Sequence, residues 1–335
     1  MLTKPSDVLY CGVRQDKIAT AAPCLDGKNL LHLYNFIHRR YRIHLRKDVY
    51  KLPQPWTKDE VLKEFRFTNV RREHDRETLW LIKHVTSNPE TSYEDKLLNC
   101  ILFRLFNKHE TSELIEQPIH FSKAYDPEVY RSVFEAKEAD DPKFIFFTGA
   151  FITGGMKRAL KWYLPKGTEE DSMPMRVMKF MEHLYSDRVV AKIKKCQNQK
   201  EVYDLLRGYL GIGDFLAYQM FVDMTYIEEF PFSENEFTAA GPGCKMGLNF
   251  LFLDKDGMSY EECLFWLREN LGDMFTSILG KPWDPNKLFA DLPEHDRCLN
   301  VMSLENCFCE LSKYIRAKTG TGRPRKKYQP SLEEL

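Results

Sequence analysis

The chain has 335 residues, a formal net charge of 0 and 43% hydrophobic residues, which suits one large helical domain or two fused lobes. A neutral balance argues against a histone-like polycation but leaves room for local basic patches. Nine cysteines, an odd number with no CxxC pair, argue against a disulfide framework, a zinc site and the cysteine cluster of an iron–sulfur centre, and for reduced thiols in a cytoplasmic or nuclear setting.

The opening MLTKPSDVLY has no apolar run, so no signal peptide is expected. No segment approaches the roughly 20 apolar residues of a membrane span, so no membrane partner is expected. KNLLHLYNFIHRRYRIHLRK (Lys28 to Lys47) begins with helical spacing and turns basic with interleaved aromatics. It reads either as a solvated amphipathic helix or as a phosphate-tracking surface. LPQPW breaks the chain, and TKDE then offers Thr57 as an N-cap with Glu60 three residues on.

RFTNVRREHDRETLW (Arg66 to Trp80) is the most unusual stretch. Read as a helix, it puts Arg72 and Arg76 on one face, where like charges repel unless a polyanion binds. The same reading pairs Arg71 with Asp75, and Asn69 is free to cap a turn or read a base edge. The alternative is a charged, solvated helix face.

Ser92 to Ile115 is expected to be one buried helix, and Lys143 to Gly155 a buried strand or helix. After Pro174 a helix with a methionine stripe is expected, its methionines in the core. Two amphipathic helices follow, from Ser259 and from Ser303. The TGRPRKK tail resembles an AT-hook, which would place Arg323 and Arg325 in an A·T minor groove.

GYLGIGDFLAYQMFVDMTY (Gly208 to Tyr226) reads as the turn and second helix of a helix-hairpin-helix, with EVYDLLRG supplying the first. Gly211 and Gly213 are expected to supply positive φ and let the backbone approach a phosphate. An ordinary helical corner is the alternative. Asp214 and Phe215 stand where a Schiff-base glycosylase carries lysine, which disfavours lyase chemistry. FPFSENEFTAAGPG offers Glu236 as a carboxylate after the second helix. Its AGPG is expected to form a second tight turn, with Gly241 and Gly243 presenting N–H groups to an anion. The expected class is mostly α, a DNA-glycosylase-like helical fold. The expected parts are a basic, helical N-terminal segment over residues 1–56, a glycosylase-like helical domain over 57–316, and a basic tail over 317–335.

PWTKDEVL, RFTNVRREHDRETLWL, ILFRLFNKHET, FFTGAFI, YLGIGDFLAYQMFVDMTY, FSENEFTAAGPG and ENCFCELSKY run in order from about Pro55 to Tyr314. In this the chain resembles the alpha-glutamyl/putrescinyl thymine pyrophosphorylases, also called amino acid:DNA transferases. These are glycosylase-like helix-hairpin-helix proteins of bacteriophage thymine hypermodification. The chain departs from that pattern at Ser312, where the family carries an aspartate. The resemblance implies duplex DNA with a modified thymine and a free amino acid as substrates, in an infected host cell if the gene is a phage's. The amine would displace pyrophosphate from pyrophosphorylated 5-hydroxymethyluracil. Arg66, Asn69, Arg71, Arg72 and Arg76 become candidates for holding the pyrophosphate, alone or with Mg, and no other cofactor is expected. Asp75, Glu236 and Lys313 become candidates for catalysis, with Asp75 or Glu236 as the general base. A related helical domain also accompanies the 5-hydroxymethyluracil DNA kinase, so a non-catalytic role beside that kinase stays open, as does a monofunctional glycosylase. No GxxxxGK[ST] occurs, so this stretch lacks that kinase's phosphate-binding loop.

Overall fold

A computed structural model describes residues 23–123, 125–148, 171–322 and 327–328. They form a mostly helical protein with one two-stranded antiparallel sheet, and the chain divides into two compact units. Unit 1 combines residues up to Asp75 with those from Thr238 onward, and unit 2 is Arg76–Phe237. No described helix is long and apolar enough to cross a membrane.

Unit 1 opens with β1 (Cys24–Leu25) and α1 (Gly27–His44), and α1 runs on into a π-turn over Leu45–Val49. Asp26 caps α1 by accepting the Asn29 N–H at 2.8 Å. Leu30, Leu33, Phe36, Ile37 and Tyr41 recur at helical spacing and are buried, so α1 is a core helix. The short α2 (Glu60–Glu64) is capped by Asp59, which accepts the N–H groups of Val61 and Leu62. Thr57 is therefore not the cap. Its hydroxyl accepts the Asp59 N–H instead, because the carboxylate lies at the residue before the helix and is the stronger acceptor.

Unit 2 runs through α3 (Arg76–Leu81), α4 (Tyr93–Phe106), α5 (His109–Leu114), α6 (Arg131–Asp140), α7 (Met173–Ser186), α8 (Val189–Ile193), α9 (Gln199–Arg207) and α10 (Asp214–Met224). The single helix expected over Ser92 to Ile115 is two helices. Asn107 takes a left-handed conformation, φ 50° and ψ 42°, and ends α4. Its side chain is held there by Arg104 Nη1 at 2.6 Å and by Thr148 Oγ1 at 2.8 Å. Met175, Met178 and Met181 are fully buried, as the methionine stripe suggests. Residues 144–148 are irregular, and the rest of the FITGG stretch lies outside the described residues.

The chain returns to unit 1 with α11 (Pro242–Leu251), β2 (Phe252–Asp254), α12 (Tyr260–Leu279), α13 (Pro285–Leu288) and α14 (Val301–Thr319). Ser259 and Glu262 form a full capping box at the start of α12. β2 pairs with β1, and the Asp26 N–H donates to Leu251 O at 2.8 Å, which ties the start of α1 to the end of α11. Helix α14 lies in the core against α1, α11 and α12, and Phe36 packs on Tyr314 with ring centroids 5.5 Å apart. The approach of α11 to α14 is backbone to backbone. A Cβ at Gly247 would lie 2.1 Å from the Phe308 carbonyl oxygen, and one at Gly243 would lie 2.5 Å from Cys309 Sγ.

Candidate active site in unit 1

The residues from Arg66 to Asp75 do not form a helix. Asp75 reaches back to accept the Asn69 N–H at 2.8 Å, and Asn69 Nδ2 donates to His74 O at 2.7 Å. Side chain–backbone bonds of this kind compete with helical ones. They close a loop around a single 3-10 turn over Arg72–His74, and Asp75 is extended with ψ 138°. The expected i,i+4 geometry is thereby lost. Arg71 pairs with Glu73 rather than Asp75, and its Nη1 donates to the carbonyls of Asp296 and Cys298. Arg72 is buried in unit 1, whereas Arg76 begins α3 in unit 2, exposed and paired with Glu77. The two do not share a helix face.

Helix α14 seats this loop. Asn306 Nδ2 donates to Asn69 O at 2.9 Å, Cys307 Sγ to Val70 O at 3.4 Å, and Glu310 accepts the Thr68 N–H at 3.4 Å. Glu305, one turn earlier, is 7% exposed and accepts the Gly241 N–H at 3.3 Å. Arg40 enters from α1 and donates through Nε and Nη2 to Phe67 O. Arg40 Nη1, Asn69 Oδ1 and Ser303 Oγ are buried with no hydrogen-bond partner among the described residues.

Such a concentration of charge inside a helical core is costly unless it is used. Burial pushes the Asp75 carboxyl up to about 6, against the Asn69 N–H and the charges of Arg40 and Arg72, which pull it down. Burial likewise raises Glu305, opposed by Arg72 and the Gly241 N–H. The Cys309 thiol is held up at about 11 by burial, so it is not a ready nucleophile. Burial lowers the Arg40 guanidinium, and Asp75, Asp48 and Glu310 counter it. A carboxyl that titrates near neutrality beside buried guanidinium donors can exchange a proton while an anion is stabilised nearby.

Of the residues singled out from sequence, Asn69, Arg71, Arg72 and Asp75 come together in this loop. Arg66 is an exposed neighbour whose charge reaches Arg40. Lys313 sits on α14 and pairs with Glu310. Glu236 belongs to unit 2, where it accepts from Gln199 Nε2. AGPG is a helix start and not a second tight turn: Gly241 is the N-cap of α11, φ −71°, and its N–H is spent on Glu305. Gly243 lies inside the first turn against Cys309. Arg323 and Arg325 lie outside the described residues. Arg40, Glu305 and Glu310 were missed. The available signal was that apolar residues of α14 occupy more than one face, which makes its carboxylates internal.

In unit 2, α9 and α10 meet at a tight corner. Arg207 and Tyr203 OH both reach Asp214 across it. Gly211 has φ 91°, as expected, but Gly213 is extended at φ −82° and ψ 179°, which any residue adopts. Ala217 is fully buried, as close packing of the corner requires. Elsewhere in unit 2, Glu77, His109 and Glu110 bring ligand-type atoms within 4.8 Å of one another. Glu77 already caps α5 by accepting the His109 N–H at 2.7 Å and takes the Arg76 guanidinium at 2.9 Å, so the group has a structural role.

The family described as "5-hmdU DNA kinase, helical domain" matches residues 28–323. A curated relative named "5-hmdU DNA kinase", from Bacillus phage SP10, is 27% identical over 321 residues, or 92% of this chain. The chain spans about half the length of that relative, 48%. No solved structure matches it. The motif resemblance and this match meet at 5-hydroxymethyluracil in DNA, although the match names a kinase's helical domain and not a transferase. The chain belongs to the family of the 5-hmdU DNA kinase helical domain.

Proposed function

We propose that the chain acts on thymine-derived bases in phage DNA as an amino acid:DNA transferase. In this reading the amine nitrogen of an amino acid attacks the exocyclic carbon of pyrophosphorylated 5-hydroxymethyluracil. The C–N bond forms, the C–O bond breaks, pyrophosphate leaves, and the ammonium proton passes to a base. Asp75 is that base, and Arg72 and Arg40 stabilise the leaving pyrophosphate, which Mg would assist. The α9–α10 corner serves as a helix-hairpin-helix on duplex DNA, and a glycosylase-like pocket receives the base. The observation that carries the reading is the Asp75 carboxyl, raised to about 6 by burial beside the buried Arg72 and the half-buried Arg40.

A second reading has its own support. The printed name of the relative is that of a kinase, and the match covers 48% of it. The chain would then be a non-catalytic module presenting 5-hydroxymethyluracil DNA to a kinase.

One experiment separates them. The chain is incubated with DNA carrying pyrophosphorylated 5-hydroxymethyluracil and an amino-acid mixture, and the nucleosides are resolved by mass spectrometry. An aminomethyl-linked thymine supports transfer. Unchanged bases, with faster phosphorylation when the chain is added to a 5-hydroxymethyluracil DNA kinase, support the accessory role. Abasic sites would reject both in favour of a glycosylase.

A further inference from the structure

Arg39, Arg42 and Arg46 lie at i, i+3 and i+7, on one side of α1 and its π-turn. With Trp56 and Lys58 they line an open cleft of about 300 Å³ in unit 1. The carboxylate among the lining residues is Asp59, and it is already saturated. It accepts from Arg39 at 2.6 Å, the Tyr314 hydroxyl at 2.7 Å, Lys318 at 3.0 Å, and the N–H groups of Val61 and Leu62. Those bonds hold Asp59 below the usual carboxylate range although burial pushes it up.

The remaining cations are therefore not neutralised within the cleft. Arg46 Nη1 donates to the Trp56 carbonyl at 2.6 Å, which fixes its guanidinium at the wall without cancelling its charge. Arg42 is exposed and has neither an ion pair nor a side-chain hydrogen bond among the described residues. Lys47 lies 5.4 Å from the Trp56 ring centroid. Like charges gathered on successive turns cost free energy unless an anion is present.

The geometry points to a nucleic-acid backbone as that anion: we propose that this cleft grips consecutive phosphodiesters of a DNA strand through Arg42 and Arg46, with Asp59 as the keystone that positions Arg39. The arginines follow one another along the helix at intervals of about 4.5 to 6 Å of rise. A row of cations matches a row of charges. A single phosphate would call for cations converging on a point. The choice of DNA as the polyanion rests on the function proposed above; the grip itself does not depend on transfer chemistry.

The test is fluorescence anisotropy with an ordinary thymine-containing duplex, from 50 to 300 mM salt. The proteins are the wild-type chain, Arg42→Ala, Arg42→Glu, and Lys287→Ala as a control for loss of one exposed charge in the same unit. Circular dichroism confirms folding. Arg42→Ala should weaken binding several-fold and reduce the slope of log K against log salt by about 1. Arg42→Glu should reduce it further, and Lys287→Ala should do neither. An unchanged slope in both Arg42 variants overturns the proposal. So does unchanged DNA binding with lost binding to phosphatidylserine vesicles, which would give the cleft to a lipid surface. A changed slope in a protein with no transfer activity would keep the grip and reject the transferase.

Discussion

Asp75→Asn separates the cost of the buried carboxylate from its use. Asparagine keeps an oxygen that can accept the Asn69 N–H, so the loop closure survives. In the wild type the carboxyl is raised from 3.8 to about 6 on folding, mainly by burial. The folded state then binds the proton more tightly than the unfolded state. Stability from this group is fully present below pH 3.8 and is lost as pH rises through about 6. The displacement corresponds to about 3 kcal/mol at most, and water around a partly exposed group reduces it toward 1–2 kcal/mol. Urea unfolding of both proteins at intervals from pH 4.5 to 8 gives the difference curve. Asp75→Asn should gain on the wild type by about 1–2 kcal/mol across this range, most of it between pH 4.5 and 6, and the difference should level off above about 6. The variant should meanwhile lose the rate of any reaction that needs the base. A difference flat with pH would show that Asp75 is an ordinary solvated carboxylate, and the case for it as a base would fall with it.

Gly247→Ala should destabilise the chain by several kcal/mol, because its methyl would meet the Phe308 carbonyl and helix backbones cannot yield as side chains do; thermal unfolding within a degree of wild type would contradict this. Asp223→Ala should cost about 3–5 kcal/mol by chemical denaturation, because it leaves the buried Arg104 without the carboxylate that accepts its Nε and Nη2. Gly213→Ala should be tolerated, since nothing lies within 4 Å of its added Cβ and its φ is ordinary. Gly211→Ala, at φ 91°, should cost about 1–2 kcal/mol; equal stability of the two variants by urea titration would refute the distinction.

Helices with local signals were legible. Ser259 with Glu262 announces α12, and the spacing after Pro174 announces α7 and its methionine core. Asn107 was less legible, because a left-handed break inside an apolar run depends on Arg104 and Thr148 holding its side chain. The stretch around Arg72 stood out by composition, but its shape did not follow from spacing. Asp75 and Asn69 spend their side chains on backbone groups and remove the helix that the i,i+4 reading assumed. Arg40 and Glu305 were hidden for another reason. Their surroundings come from segments distant in the chain, Phe67 O accepting from Arg40 and the Gly241 N–H donating to Glu305, and no local pattern carries that.

The discontinuity of unit 1 has a consequence for how the chain emerges from the ribosome. Leu33, Phe36 and Tyr41 are made early, yet the α12 and α14 side chains that cover them come after all of unit 2. Translating the roughly 160 intervening residues takes on the order of ten seconds. Unit 2 is contiguous and can complete its own core in that interval. The apolar face of α1 must wait, exposed, until α14 arrives, so the nascent chain is most vulnerable to chaperone capture or misassembly around α1.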